Sequence, residues 1–249
     1  ITKIEVYEDF NLNFNKKKVF DKAFMMAFDQ LTSKIITSQN KKKLEKTNLL
    51  TIKSLIDSFN IISEKFVDNK YYVEINVNFN KRNCLNFIES KNIFPSIPKK
   101  LDLLLLPILI DNDQNQITFL NGNPIYKNWN KHLEKYYLLN YILPTEDIED
   151  RQILKKNIKD IEEYKFNEII QKYELKNFVI LIVYENNHKI KTLSKLQLNN
   201  TYKIFNHSHQ QIDINNEESL AKLITDLKTK YEDEWKKLNL INTSIKLPL

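Results

Sequence analysis

Alternation is clearest between Tyr71 and Asn80. Tyr71, Val73, Ile75, Val77 and Phe79 interleave with Tyr72, Glu74, Asn76, Asn78 and Asn80. A period of two predicts a strand with one buried and one wet face, as in an antiparallel sheet. Asp68-Asn69-Lys70 ahead of it is turn chemistry. Asn60 to Val67 reads as the other arm of a hairpin. Thr2 to Phe10, with Ile4 and Val6 apolar, reads as a further strand. Between these the period turns helical. Phe20, Phe24, Ala27, Leu31 and Ile35 fall on one helix face, and Phe28 and Met25 widen the stripe, so that helix is expected to be well covered. Residues 49–58, with Leu50, Ile52, Leu55 and Ile56 apolar, predict a second helix. Residues 81–91 predict a third, with Cys84, Leu85 and Ile88 inward. The lysine-rich stretch Gln39 to Lys46 has no apolar period and reads as an exposed loop or frayed turn.

Pro95 and Pro98 mark a boundary. Beyond it the pattern becomes two continuous apolar runs, Leu101 to Ile110 and Phe178 to Val183. Such runs belong to central strands buried on both faces of a helix-flanked, largely parallel sheet. Leu138 to Leu143 is a third candidate strand. Helices are expected near 124–135, 148–157 and 163–174, the last from the spacing of Phe166, Ile169, Ile170 and Tyr173. Lys189 to Leu198 and Thr201 to Phe205 predict a hairpin across Asn199-Asn200. A long helix follows from about Glu217 to Leu240, with Leu220, Leu223, Leu227, Tyr231, Trp235 and Leu238 in register. Asn215 or Asn216 is its N-cap. Ile245, Leu247 and Leu249 begin to alternate as the sequence stops, as if in mid-element. The fold class is therefore α/β. An α+β first domain spans 1–94 and a helix-flanked mixed-sheet second domain spans 99–212. A C-terminal helix with the start of a further element spans 213–249.

Composition narrows the function. The 249 residues include one glycine, Gly122. No P-loop, GxGxxG fingerprint or GxSxG elbow can be written, since each needs several. Abundant Lys, Asn and Ile also look like base-composition drift in an AT-rich genome. Gly122 lies in the turn Asn121-Gly122-Asn123-Pro124, where a positive φ is the expected reason for it. A hydrophobic fraction of 42% allows a sizeable core. The run Leu103 to Ile110 is too short to cross a bilayer. No secretory signal is visible, but the sequence opens on Ile1 rather than Met, so a signal ahead of it is part of the expectation. One cysteine, Cys84, forbids an internal disulfide or a CxxC metal knuckle.

The net charge is +6, concentrated in residues 1–93, which hold 16 Lys+Arg against 11 Asp+Glu. That invites a nucleic-acid or anionic-surface reading. Only Arg82 and Arg151 are arginines, and lysine lacks the planar fork that clamps phosphate. A solvated lysine surface is the favoured reading.

Four features are candidates for chemistry. Glu146, Asp147, Glu149 and Asp150 follow Pro144, where a strand ends. They can bind a divalent cation through oxygen or merely charge the start of a helix, and the second is preferred. His207 and His209 share a face if extended, a spacing that suits zinc. No third ligand is evident, because His132 and His188 lie in other elements, so exposed hairpin histidines are preferred. Cys84 reads as a core thiol. Tyr126 and Trp129 either line a pocket or anchor a helix to the sheet. No catalytic residue, cofactor or metal is assigned.

Several segments are familiar together. "FNKKKVFDKAFMMAFDQLTSKI" and "SLIDSFNIISEKFVDNKYYVEINVNFNKRNCLNFI" resemble a family of uncharacterised proteobacterial envelope proteins. "LDLLLLPILID", "NPIYKNW" and "YILPTEDIEDRQ" resemble its alphaproteobacterial branch. The resemblance implies an exported, periplasmic or envelope-associated protein. Its two α/β domains would be arranged like the N-terminal and middle domains of flagellar assembly protein T, the second resembling the N-terminal domain of TolB. It implies action by contact with other envelope proteins, without catalysis. In the family's pattern a glycine precedes the first aspartate of the acidic segment. Here Glu146 stands there while Asp147 and Asp150 match, which weakens a tight-turn or ligand role. The leading expectation is a non-enzymatic envelope protein binding other proteins, with an exposed strand edge of the first domain as the contact. The alternative is a lysine-driven nucleic-acid or anionic-surface binder. A metal-dependent hydrolase using Asp147, Asp150 and His207 ranks below both.

Overall fold

A computed structural model describes residues 1–111, 116–131, 134, 136–145, 147–186, 189–209 and 212–241. The chain divides into two compact units. One is Ile1–Lys99 with Lys135–Tyr137 and Lys236–Leu249; the other is Lys100–Glu134 with Leu138–Trp235.

In the first unit, strand β1 (Ile4–Asp9) leads into helix α1 (Lys16–Ile35). Helix α2 (Ser38–Lys41), a 3-10 turn (Lys42–Leu44) and α3 (Leu49–Leu55) follow. Strands β2 (Ile56–Val67) and β3 (Lys70–Phe79) form the hairpin, and α4 (Lys81–Ser90) closes the unit. The sheet is antiparallel, ordered β1-β3-β2. Asp68 and Asn69 both take positive φ, which turns the hairpin in the sense that matches strand twist. Ile4, Val6, Tyr71, Val73, Ile75 and Val77 form one sheet face and pack with Val19, Ala23, Ala27 and Phe28 of α1, Ile52 and Leu55 of α3, and Cys84 and Ile88 of α4. Asparagine side chains cap α1, α3 and α4 from Asn15, Asn48 and Asn80.

The second helix is shorter than its pattern predicts. It ends at Leu55, and residues 56–59 belong to β2, because pairing Ile56 with Phe79 and Phe59 with Val77 extends the hairpin. Leu50 and Met25, read as stripe residues, are exposed. The stretch 39–46 is mostly short helix and 3-10 turn, with Leu44 buried.

The second unit opens with β4 (Leu101–Asp111), β5 (Gln116–Phe119), a 3-10 turn (Leu120–Gly122) and α5 (Pro124–Trp129). It continues through β6 (Leu139–Ile142), α6 (Ile148–Lys156), a 3-10 turn (Ile158–Asp160), α7 (Asn167–Gln171) and β7 (Phe178–Asn186). The hairpin β8 (Lys189–Leu198) and β9 (Thr201–His209) precedes α8 (Glu217–Leu238). The sheet is mixed, ordered β5-β4-β7-β8-β9, with β6 parallel to the first half of β4 and β5 antiparallel to its second half. Pro107 falls between those two partners, and Asn123 Nδ2 donates to its carbonyl at 3.1 Å. One sheet face, with Leu103, Leu105, Leu109, Val179 and Leu181, packs with α5 and α8. The other, with Leu104, Leu106, Ile108, Ile180 and Ile182, packs with α6 and α7. Residues 217–235 of the long helix are thus part of this core rather than an appendage. Asn216 is its cap, accepting from Ser219 N at 3.0 Å.

Three expectations are corrected here. The helix begun at Pro124 ends at Trp129, and that expected over 163–174 is the short α7, because Phe166 takes a left-handed φ of 56°. β5 was not predicted, its four residues being too few to show a period. Gly122 has no positive φ. Its reason is space, since a Cβ there would lie 2.7 Å from Thr118 Cγ2. The alternating residues 245–249 lie outside the described ones.

Candidate functional site

The first unit leaves one long strand edge open. β2 has 12 residues and, among the described residues, is bonded by β3 on one side only. Its β3 partners Tyr71, Val73, Ile75 and Val77 are buried, while Phe59, Ile61, Ile62, Phe66 and Val67 of β2 are exposed. Helix α1 runs beside this margin. The Phe59 ring lies 5.6 Å from Phe20 and 5.1 Å from Phe24, and Lys16 Nζ pairs with Glu64 at 2.6 Å. The result is an apolar inner margin next to unpaired backbone groups, the two ingredients that strand addition uses. Register shifts between Ile56 and Ser58 and between Ile61 and Ser63 break the edge into two regular runs. Such bulges discourage indiscriminate pairing. They also blur the start of the strand, which the sequence shows only from Asn60 to Val67, because each one resets the period of two.

The acidic segment is used internally. Asp147 caps α6, accepting from Glu149 N at 2.8 Å. Lys172 Nζ then bridges Asp147 at 2.6 Å and the buried Asp150 at 2.7 Å. The lysine's hydrogen bond holds the Asp147 carboxyl below the usual carboxylate range, and the two carboxylates raise Lys172 in turn. A lysine supplies the cation that the metal reading required. Glu146 lies outside the described residues.

His207 and His209 do share a face of β9, with ring centroids 6.4 Å apart. Both are half-buried, and His209 Nε2 lies 3.4 Å from Thr192 Oγ1. Burial first, and Lys230 second, lower both imidazoles. Among the described residues no cluster of three His, Cys, Asp or Glu could hold a metal ion; His132 and His188 lie outside them. Cys84 is buried with its thiol pushed up to about 11 by burial, which suits a core thiol. Tyr126 and Trp129 face different cores. Trp129 is fully buried with α8, and Tyr126 packs on the opposite sheet face and donates to Pro144 O at 2.7 Å. They do not wall one pocket; α5 is only six residues long, and its two sides serve two layers.

The polar cluster beside Trp129 was not visible beforehand. Lys228, fully buried, donates to Trp129 O at 2.6 Å and lies over the Trp129 and Tyr141 rings. One turn on, Glu232 Oε1 accepts from Leu138 N at 2.9 Å and Leu139 N at 2.8 Å. Desolvation lowers the lysine to about 8, against the opposing pull of Glu232 and Glu134. The signal was the row Ile224, Lys228, Glu232, which continues the apolar stripe with charged residues. The cluster satisfies the end of α5 and the start of β6, a structural task. Two open clefts of about 580 and 410 Å³, the larger beside the end of β4 and the smaller against β8 and β9, share Glu162 and Tyr184, whose side chains bond at 2.6 Å. Thr192, His207 and Ser208 line the smaller one.

Compared with known proteins, the chain matches no family model, and no curated protein matches it.

Proposed function

We propose that this is a non-enzymatic envelope protein that works by binding another protein chain along the free edge of β2. The observation behind the reading is that edge itself: 12 residues paired, among the described residues, on one side, with Phe59, Ile61 and Ile62 exposed along it. An added strand would cover these side chains and satisfy the outward backbone groups. The half-exposed side chains would each contribute about 1 kcal/mol of apolar burial, before the cost of ordering the partner. The envelope location rests on the resemblance of the apolar and turn pattern, and the α/β architecture of both units is compatible with it.

The test places a photo-crosslinking residue at Ile62 in cells, with exposed Leu50 of α3 as the control position. The reading expects one dominant partner from position 62 and none from position 50. With the crosslinking residue kept at position 62, Ile61→Lys together with Val67→Lys should abolish the crosslink, since edge lysines block strand addition. With the purified partner, amides 58–67 should gain hydrogen-exchange protection. Background capture alone, or capture indifferent to the lysines, would sink the edge as the site. Osmotic-shock fractionation tests the location separately: release with the periplasm is expected, and retention in the cytoplasm removes the envelope part.

A further inference from the structure

One end of the first unit carries an apolar protrusion that the β2 edge does not account for. The turn between β1 and α1 is closed by Phe14 N donating to Asn11 O at 2.9 Å, with Asn13 N bonded to Asn11 Oδ1. Leu12 stands at its tip, fully exposed. Phe10 N donates to Asn69 O at 2.7 Å, which ties this turn to the β2–β3 hairpin turn. Phe10 and Phe66, each about half exposed, have rings 5.1 Å apart, and Phe14 and Tyr71 pack beneath them. On the open sheet face at the same end, exposed Tyr7 and Tyr72 lie 6.0 Å apart with Lys70 over Tyr7. Of its large apolar side chains Leu12 is the most exposed.

Its charges are positive on balance. Glu64 is matched by Lys16 and Glu8 by Lys22, and Asp9 lies opposite Lys70 in the ladder. Lys17, Lys18 and Lys65 remain exposed there, against Asp68 alone. Lys16, Lys17 and Lys18 open α1, whose first turn has no acidic residue. A helix start is already electropositive, so the fold gains nothing by placing lysines there. We infer that this end docks on an anionic bilayer surface. Leu12 and Phe10 enter the headgroup–acyl boundary, Tyr7 and Tyr72 sit at headgroup level, and the lysines reach lipid phosphates. Exposed Leu and Phe beside snorkelling lysines and amphipathic tyrosines is the composition that partitions to that interface. A protein partner would have to offer a pocket for Leu12, and a fluid interface needs none.

The experiment is co-sedimentation of the full chain with vesicles of phosphatidylcholine mixed with phosphatidylglycerol, and with phosphatidylcholine alone. Binding to the mixed vesicles is expected, with weak binding to the neutral ones. Leu12→Asp should lower partitioning about tenfold or more, and Lys17→Gln with Lys18→Gln about fivefold per lysine. Leu12→Asn is a milder second variant, and because Leu12 touches no core neither change should alter folding. A Phe10→Trp reporter should shift to shorter emission wavelength on binding, while Trp129 and Trp235 stay buried throughout. No binding to anionic vesicles at low salt would overturn the inference. So would binding indifferent to Leu12, or retention on single-stranded nucleic acid that depends on Tyr7 and Tyr72 without vesicle binding. Vesicle binding should survive Ile61→Lys and partner crosslinking should survive Leu12→Asp, so the two surfaces can fail independently.

Discussion

At the scale of single residues, asparagine does work that glycine usually does. Asn69, Asn92 and Asn199 take left-handed φ values, the conformation glycine adopts most freely. Asparagine also caps α1, α3, α4, α5 and α8. The asparagine count is therefore not only base-composition drift; a good share of it carries turns and helix starts. The one glycine is needed for its missing side chain. Gly122→Ala should destabilise the second unit by about 1–3 kcal/mol, the usual cost of overpacking, measured by urea unfolding. Thr118→Ser removes the obstructing methyl and should recover part of that loss. A Gly122→Ala protein as stable as the parent would show that the clash relaxes without cost.

At the scale of elements, α8 does more than fill the core. Lys228 and Glu232 hold the end of α5 and the start of β6 against one helical turn. Lys228 faces Glu232 and Glu134 as its charged neighbours. Its folded value of about 8 lies below the ordinary lysine value, so above pH 8 the unfolded chain holds a proton that the folded chain has released. Stability should therefore rise with pH from about 8 to about 9.5, by about 1–2 kcal/mol, before tyrosine ionisation intervenes. The buried Tyr231, whose hydroxyl is raised by burial, works in the opposite sense once unfolded tyrosines ionise. Lys228→Met should flatten the rise in a pH series of denaturant midpoints. An unchanged slope would assign it to other lysines.

At the scale of the whole chain, the two units should differ in how their backbones exchange. β4 and β7 are covered on both faces and paired on both sides, whereas β2 is covered on part of one face and paired on one side. Hydrogen exchange on the free protein should find the slowest amides in β4 and β7 and fast exchange along the outward groups of β2. Strong protection across all of 58–67 without any partner would mean that the edge is already occupied, for instance by a second copy. Part of the lysine count works inside the fold. Lys16, Lys41, Lys53 and Lys172 each have a carboxylate partner, and Lys228 is buried. The net charge of +6 is unchanged by such pairs and is carried by the remaining residues.

The order of strands and helices follows from the sequence wherever burial imposes a period. β3 alternates because one face is wet, β4 and β7 are continuous because neither is, and α1 and α8 step by three and four because one stripe is buried. The acidic segment was legible as a helix start for a similar reason, since a cap acts within one turn. What needed the tertiary structure involves partners distant along the chain. The helical reading of 56–58 fails because Phe79 and Asn78 are available to pair. Lys172 reaches Asp147 and Asp150 across a crossover, and Lys228 finds Trp129 99 residues away. The apolar end formed by Phe10, Leu12 and Phe66 is likewise assembled from segments far apart. Local free energy writes the period of an element into its own residues, whereas the neighbours of a charge or an edge are set by topology.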